Sequence, residues 1–333
     1  MSFRWGIVGF GWVASDHMAP AIAAAGHELI VVADPSPDAR AKAKAMGALA
    51  VATTAALLEQ RPDAIYVATP NHLHLPPLVE AARASIPVLC EKPMAATLGD
   101  AEEIAKAVGG MLYGTAFDQR HHPAHRAIAA EIASGAIGQV IAVRINYACW
   151  VDPQWRPPGE KPDDENWRAD PVAAGGGAVM DLALHGLDLA QMLLGEPLNR
   201  LHIDLQRRVH DYAVDDGGML SGRFDSGALF QAHVAYNCPE ALPRRRLEVV
   251  GEKGAIVAVE TMGQSAGGSA VLICGRSGAE RPIAFDRERS PFEAQATAFA
   301  AAVRGEAHDF SLERDIKLMR LFAGAHEEAL ACL

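Results

Sequence analysis

Gly9-Phe10-Gly11-Trp12-Val13-Ala14 follows an apolar run at 5–10 and opens an alanine-rich helical pattern that stops at Gly26. No other stretch limits the fold so tightly. In a G-x-G-x-x-A spacing the first glycine permits a tight turn and the second lets backbone approach a pyrophosphate. The small third residue lets helix pack closely on strand. A second apolar run, at 28–33, ends on Asp34, which stands 23 residues beyond Gly11. That is the spacing expected of an acid that hydrogen-bonds a ribose. Strand, glycine turn, helix, strand and acid in this order predict a dinucleotide-binding unit, with Gly9, Phe10, Gly11, Trp12, Val13 and Asp34 on the cofactor. Asp34 is followed by Pro35-Ser36-Pro37-Asp38 with no cation. Its charge would repel a 2′-phosphate, so NAD is expected rather than NADP.

The alternation continues. Helical patterns at 39–46, near 54–60, near 76–85 and at 97–108 separate strand patterns at 48–51, 64–68, 87–90 and 111–116. Such alternation makes a parallel sheet with right-handed crossovers, and ligands sit at the carboxyl ends of its strands. Thr69-Pro70-Asn71 and Glu91-Lys92 fall at those ends, and His74 is counted with them as cofactor-binding. Pro93 restricts the backbone of Lys92. This first domain is expected to span 1–119, and a substrate-binding and oligomerisation domain 120–333.

In the second part, 140–150 alternates and is followed by a proline- and acid-rich loop, 151–170, that holds Trp155 and Trp167. A loop of that length is uncommon and often functional. Then comes Gly175-Gly176-Gly177, expected to bring backbone close to a ligand and to leave a helix N-terminus uncovered. In the helix that follows, Asp181 and His185 stand four apart and share one face. A carboxylate beside an imidazole suits acid/base work, because it can fix the tautomer and stabilise the cation. Strand patterns at 198–209, 217–224, 228–236, 246–250 and 255–259, with Asp225-Ser226-Gly227 as a hairpin turn, predict a large open, mainly antiparallel sheet. Helices near 124–134 and 178–194 should cover one face. The other, expected to be apolar, should meet a second copy in a homodimer or homotetramer. Helices near 291–304 and 312–331 close the chain. The fold class is therefore α/β, a doubly wound parallel sheet followed by an α/β domain with a large open sheet.

A net charge of −11 argues against an extended nucleic-acid surface. No apolar run is read as membrane-spanning, and the N-terminus enters a strand too soon for a signal peptide. Five cysteines without a CxxC suit a reducing, cytoplasmic setting and offer no zinc spacing. His121, His122 and His125 lie at a helix start without a third-ligand pattern. They are expected to be solvated or capping, as are His72 and His74, and no metal is expected.

Taken together, Gly9-x-Gly11-x-x-Ala14, Thr69-Pro70-Asn71, Glu91-Lys92-Pro93, Trp167-Arg168-x-Asp170-Pro171 and Gly175-Gly176-Gly177-x-x-x-Asp181-x-x-x-His185-x-x-Asp188 resemble the glucose–fructose oxidoreductase / inositol dehydrogenase (Gfo/Idh/MocA) family over almost the whole chain. Ala183 departs from a glycine common in that family, at a packing position. The resemblance implies a Rossmann domain, a second domain that assembles through its sheet, and a cis Lys92–Pro93 bond. It implies that Lys92, Asp181 and His185 line the nicotinamide and substrate site, and that the substrate is a sugar, cyclitol or related small molecule. The expected chemistry is hydride transfer, with His185 as base, Lys92 on the reacting oxygen and Asp181 orienting His185 or a substrate hydroxyl. Arg168 and the aromatic residues of 147–167 are candidate substrate contacts, and Asp188 a structural residue. An NAD-dependent glycosidase of the same fold and a non-catalytic cofactor-binding protein stay open at this point.

Overall fold

The computed structural model describes residues 2–156, 166–211 and 213–333. The first sheet is built from β1 (Arg4–Val8), β2 (Glu28–Ala33), β3 (Leu49–Val51), β4 (Ala64–Val67), β5 (Val88–Cys90) and β6 (Tyr113–Thr115). Its order is β3-β2-β1-β4-β5-β6, and every pairing is parallel. That is the doubly wound order whose direction reverses between β1 and β4. β4 is buried along its length because helices cover both faces.

Those helices are α1 (Ala19–Ala24), α2 (Pro37–Ala45), α3 (Thr54–Leu58), α4 (Leu75–Ala84) and α5 (Leu98–Val108). Ser36, Thr53 and Thr97 cap α2, α3 and α5 by accepting from backbone N–H groups of the first turn. The helix expected directly after the glycine turn begins instead as a π-helix, Val13–Met18. Pro20 has no N–H for the carbonyl four residues back, so a regular α ladder cannot run through this point.

The second sheet contains β7 (Val140–Ala148), β8 (Leu198–Gln206), β9 (Gly217–Phe224), β10 (Leu229–Ala235), β11 (Arg245–Gly251), β12 (Gly254–Val259), β13 (Ser269–Cys274) and β14 (Glu280–Pro282). Its order is β14-β13-β12-β11-β7-β10-β9-β8. The pairings are antiparallel except for β7 with β10. β13 and β14 were not foreseen, because their alternation is short and flanked by glycine. Of the expected loop at 151–170, residues 157–165 lie outside the described residues, and Tyr147 belongs to β7 rather than to the loop.

The remaining helices are α6 (Pro123–Ala133), α7 (Pro171–Ala174), α8 (Ala178–Leu194), α9 (Pro291–Val303) and α10 (Leu312–Leu330). The stretch Pro171–Leu194 is long and apolar enough to cross a membrane by composition, contrary to the sequence reading. It is broken by the three glycines, and α8 lies in the core between the second sheet and its neighbours. Helices late in the chain return to the first sheet. Phe292, Phe299 and Phe310 pack with Trp5 beside β1. α10 sets Ile316 and Met319 against the first unit and Leu318 and Phe322 against the second.

The open face of the second sheet corrects one expectation. His202, Ser221, Gln231, Arg144 and Glu248 line up in register across β8, β9, β10, β7 and β11. Strand alternation points them away from the buried partners of the same strands. Met219 and Leu229 stand exposed among these polar residues on the same face, and the row becomes apolar toward Val257 and Val271. It is mixed, not uniformly apolar.

Candidate active site

Where the strand order reverses, Gly9 turns with φ 83°, and a Cβ there would sit 2.8 Å from the backbone of Ala68. The turn is thus specified by close approach of the ends of β1 and β4. Gly11 meets nothing within 4 Å of where a Cβ would lie, so its backbone is open to the cleft. The Asp34 carboxylate accepts from the N–H of Phe10 and of Ser36, each at 2.7 Å. This fixes a negative charge at the end of β2. An open glycine backbone at the switch point beside a fixed carboxylate fits a dinucleotide.

A cleft of about 640 Å³ runs from Gly9, Gly11, Trp12, Val13 and Asp34 past Thr69, Pro70 and Asn71 to Glu91, Lys92, Asp181 and His185. Two expected members are not in its lining. The side chain of Phe10 is buried in the core beside β1. His74 is wholly buried, with Nδ1 near the carbonyls of Pro93 and Met94 and Nε2 near that of Thr69. It braces one strand-end loop against the next. Asn71 Nδ2 donates to the Ala174 carbonyl at 2.8 Å, tying the first unit to α7.

Lys92 follows β5 and precedes a cis bond to Pro93. Its Nζ donates to Asp181 Oδ1 at 2.5 Å and to the Asp181 carbonyl at 3.0 Å. Tyr236 donates to the other Asp181 oxygen at 2.6 Å. Burial works to raise the Asp181 pKa, but the charges of Lys92 and Arg168 and the two hydrogen bonds outweigh it, and the carboxyl falls well below the usual range. Glu91 goes the other way: burial raises it, although Lys92 and the Tyr66 hydroxyl oppose the shift.

Asp181 and His185 share a face of α8, as the spacing predicted, yet they do not pair. The charge partner of His185 is Asp118, whose Oδ1 lies 2.9 Å from Nδ1, an ion-pair approach whose angle falls outside hydrogen-bond geometry. Gln119 Nε2 donates to the other Asp118 oxygen at 2.8 Å. Burial opposes ionisation of Asp118, but the His185 charge and the Gln119 hydrogen bond win, and its pKa is lowered. A carboxylate at Nδ1 favours the tautomer that leaves Nε2 as acceptor. The ring edge of Tyr147 closes one side of His185, with centroids 5.8 Å apart. Asp118 is not among the residues that the sequence singled out. Its signal was its place just after β6, the next strand end in the series that holds Gly9, Asp34, Thr69 and Lys92.

Beyond this pair the cleft is walled by Tyr147, Trp150, Trp155 and Trp167, and Arg168 lies among them. The Arg168 guanidinium stands 4.7 Å from the Trp167 ring centroid and 5.5 Å from that of Trp155. Asp170 caps α7 ahead of Pro171.

The glycine triplet does not serve a ligand. A Cβ on Gly175 would sit 2.2 Å from the Ala96 carbonyl oxygen, and one on Gly177 1.9 Å from that of Asp215. The N-terminus of α8 is covered, because the Asp215 carboxylate accepts from the N–H of Gly177 and of Val179, each at 2.8 Å. Asp188, one turn beyond His185, is structural: Arg120 grips it with Nε at 2.9 Å from Oδ2 and Nη2 at 2.9 Å from Oδ1. Of the five histidines expected to be solvated or capping, only His72 is exposed. His122 does cap α6, but from a buried position. Burial pushes His121 down to about 4 and His125 to about 3, so both are neutral packing groups. Among the described residues no cluster could hold a metal ion.

A chain that opens backbone toward a dinucleotide at one end of a cleft, and brings a lysine and an oriented imidazole together at the other, is built for hydride transfer. Its class is the nicotinamide-dependent oxidoreductases. Residues 3–110 match the oxidoreductase family with an NAD-binding Rossmann fold, and residues 125–257 match the GFO/IDH/MocA C-terminal domain. Among relatives, 1,5-anhydro-D-fructose reductase of Ensifer adhaerens is 30% identical over 308 residues, covering 91% of this chain and 88% of that protein. The dTDP-3,4-didehydro-2,6-dideoxy-alpha-D-glucose 3-reductase of Streptomyces violaceoruber is 33% identical over 313 residues, 91% of this chain and 86% of its own. The fold matches levoglucosan dehydrogenase in complex with NADH and levoglucosan, with a TM-score of 0.86 at 22% identity over 99% of this chain and 98% of that one. The chain belongs to the GFO/IDH/MocA oxidoreductase family.

Proposed function

We propose that the chain oxidises or reduces one carbon of a sugar, cyclitol or related polyol, with NAD rather than NADP. The observation that carries this reading is one cleft shared by Gly11 and Asp34 at one end and by Lys92 and His185 at the other. The nicotinamide, when bound, supplies the hydride acceptor or donor. In the oxidation direction His185 Nε2 takes the hydroxyl proton, and Lys92 Nζ hydrogen-bonds the same oxygen and stabilises its developing charge. Asp118 keeps the Nδ1 proton in place and offsets the imidazolium. That task was expected of Asp181, and the 2.9 Å approach supports Asp118 instead. Asp181 and Tyr236 hold the Lys92 ammonium at the cleft wall.

The preference for NAD rests on the anchored Asp34 carboxylate. Arg40, six residues further on, is a cation that the sequence reading passed over. Its Nη1 donates to the carbonyls of Asp34 and Pro35, both at 2.8 Å. Binding titrations should give NAD an affinity at least about tenfold above NADP, and tighter NADP binding would defeat the preference. A screen of sugars and cyclitols should give a cofactor-dependent change in NADH absorbance. Sugar hydrolysis without net NADH would favour a glycosidase, and cofactor binding without any turnover a binding protein.

The chain works as a homo-oligomer joined through the apolar end of the open sheet face, around Val257, Val259 and Val271. Val259 is 38% exposed there, on a strand that already buries its other side. Sedimentation at micromolar concentration should show a dimer or tetramer, and Val259→Glu should weaken it. A monomer alone would sink this assignment. The unpaired cysteines support a reducing, cytoplasmic setting, and the acidic charge supports work away from nucleic acid and membrane surfaces.

A further inference from the structure

The cationic groups of the cleft are not all accounted for by its acids. Lys92 is paired with Asp181, and His185 with Asp118. Asp34 lies at the cofactor end, held by backbone N–H groups. That leaves Arg244 and Arg245 in the lining beyond Lys92, with Arg168, whose charge also acts on Asp181; of the remaining lining acids among the described residues, Glu91 accepts from the Tyr66 hydroxyl and Glu240 lies near Arg244. Glu240 reaches only Arg244, at 3.6 Å, from a side chain that is 78% exposed. Such a pair is weak.

Arg245 carries the argument. It stands opposite Tyr147 in the β11–β7 register, with its guanidinium 5.8 Å from the Tyr147 ring centroid. Tyr147 in turn lies against His185. Arg245 is therefore on the substrate side of the reacting pair. Its Nε is buried and has no hydrogen-bond partner. Arg168 and Arg245 have no carboxylate within ion-pair distance among the described residues, although the chain as a whole is acidic, at −11. A buried donor on a charged group is costly to leave unmade. An arginine fork matches a carboxylate or a phosphate better than it matches a hydroxyl.

We infer that the substrate carries an anionic group, a carboxylate or a phosphate, seated on Arg244 and Arg245 with Arg168 beside it. This rests on the reading above for which end of the cleft takes substrate. The reacting hydroxyl or carbonyl then lies between Lys92 and His185, and the anionic group fixes which carbon is presented.

The test uses the full-length protein saturated with NADH and three probes: D-glucose, D-glucuronate and D-glucose 6-phosphate. Dissociation constants are read from the change in NADH fluorescence. One acidic probe should bind at least about tenfold tighter than glucose, and the preference should fall as salt is raised. Preference for glucuronate identifies a carboxylate seat, and preference for glucose 6-phosphate a phosphate seat. Arg245→Gln and Arg244→Gln should each bring the ratio of acidic-probe to glucose affinity toward one. Arg245→Lys should restore part of it, and the surface variant Arg320→Gln should leave it alone. Equal binding of all three probes by the parent protein overturns the inference. So does a preference that survives both glutamine variants. Turnover separates this from the broader reading. An acid preference in binding without NADH formation or consumption by any sugar defeats the redox assignment and keeps the anion seat. Turnover of neutral sugars without acid preference does the reverse.

Discussion

Replacing His185 with alanine is expected to lower turnover by about two to four orders of magnitude and to leave NAD affinity nearly intact. Lys92→Ala should act on the same scale. Lys92 comes from a strand end in one unit and His185 from a helix in the other, so only the cleft between them brings both to one substrate oxygen. The two serve one transition state, and the double variant should therefore lose less than the product of the single losses. In the oxidation direction the imidazole must be neutral to accept a proton. The rate should fall as pH falls and the ring protonates, and His185→Ala should abolish that limb. Asp118→Asn keeps the shape but removes the charge that favours the imidazolium. It should reduce kcat with little change in KM. Steady-state kinetics across pH and cofactor titrations on these variants check the set. Near wild-type turnover of His185→Ala with an unchanged profile would show that another group is the base.

The second large effect is on stability. Arg120→Ala should destabilise the fold by about 3–5 kcal/mol, because it leaves the Asp188 carboxylate buried without its two-pronged partner. Asp188 is 0% exposed, so water cannot take over. Arg314, with Nε 3.6 Å from Asp188, softens the loss and places it toward the lower end. Replacing both residues with apolar ones of similar volume, Arg120→Met with Asp188→Leu, should recover much of the difference. Urea unfolding followed by circular dichroism measures all three proteins. A loss below about 1 kcal/mol for Arg120→Ala, the range of an exposed pair, would contradict the buried-pair account. Arg120 also ends the short turn that carries Asp118, so activity should decline along with stability.

The first sheet and its ligand edge were legible because their signals are local. Glycine spacing, an acid at a strand end and a proline after a lysine each act within a few residues. The strand run at 217–224 was readable for the same reason, since alternation has a short period. What stayed hidden depends on which distant segments meet. The i, i+4 rule placed Asp181 and His185 on one face, but it could not show that Lys92 and Tyr236 would hold the first while Asp118 faces the second. Asp215 caps α8 from 38 residues beyond Gly177 in sequence, and nothing around it reads as a cap. The buried histidines at 121, 122 and 125 stand at a helix start, where sequence alone predicts exposure or capping. They are enclosed by distant segments: His121 stacks on Phe310, His122 meets the Phe285 ring and His125 faces the Thr261 hydroxyl.

Gly175 and Gly177 show what such distant meetings can set. Both sit against main-chain carbonyls rather than side chains, and a main chain cannot swing aside. A single methyl group at either position would force the start of α8 and the opposing main chain apart. Asp181 and His185 ride on that helix at one and two turns from its start, so both would be displaced together and by a similar amount. The glycines thus act as a stop against which the helix is seated. They set the gap between the lysine of one half of the molecule and the imidazole of the other.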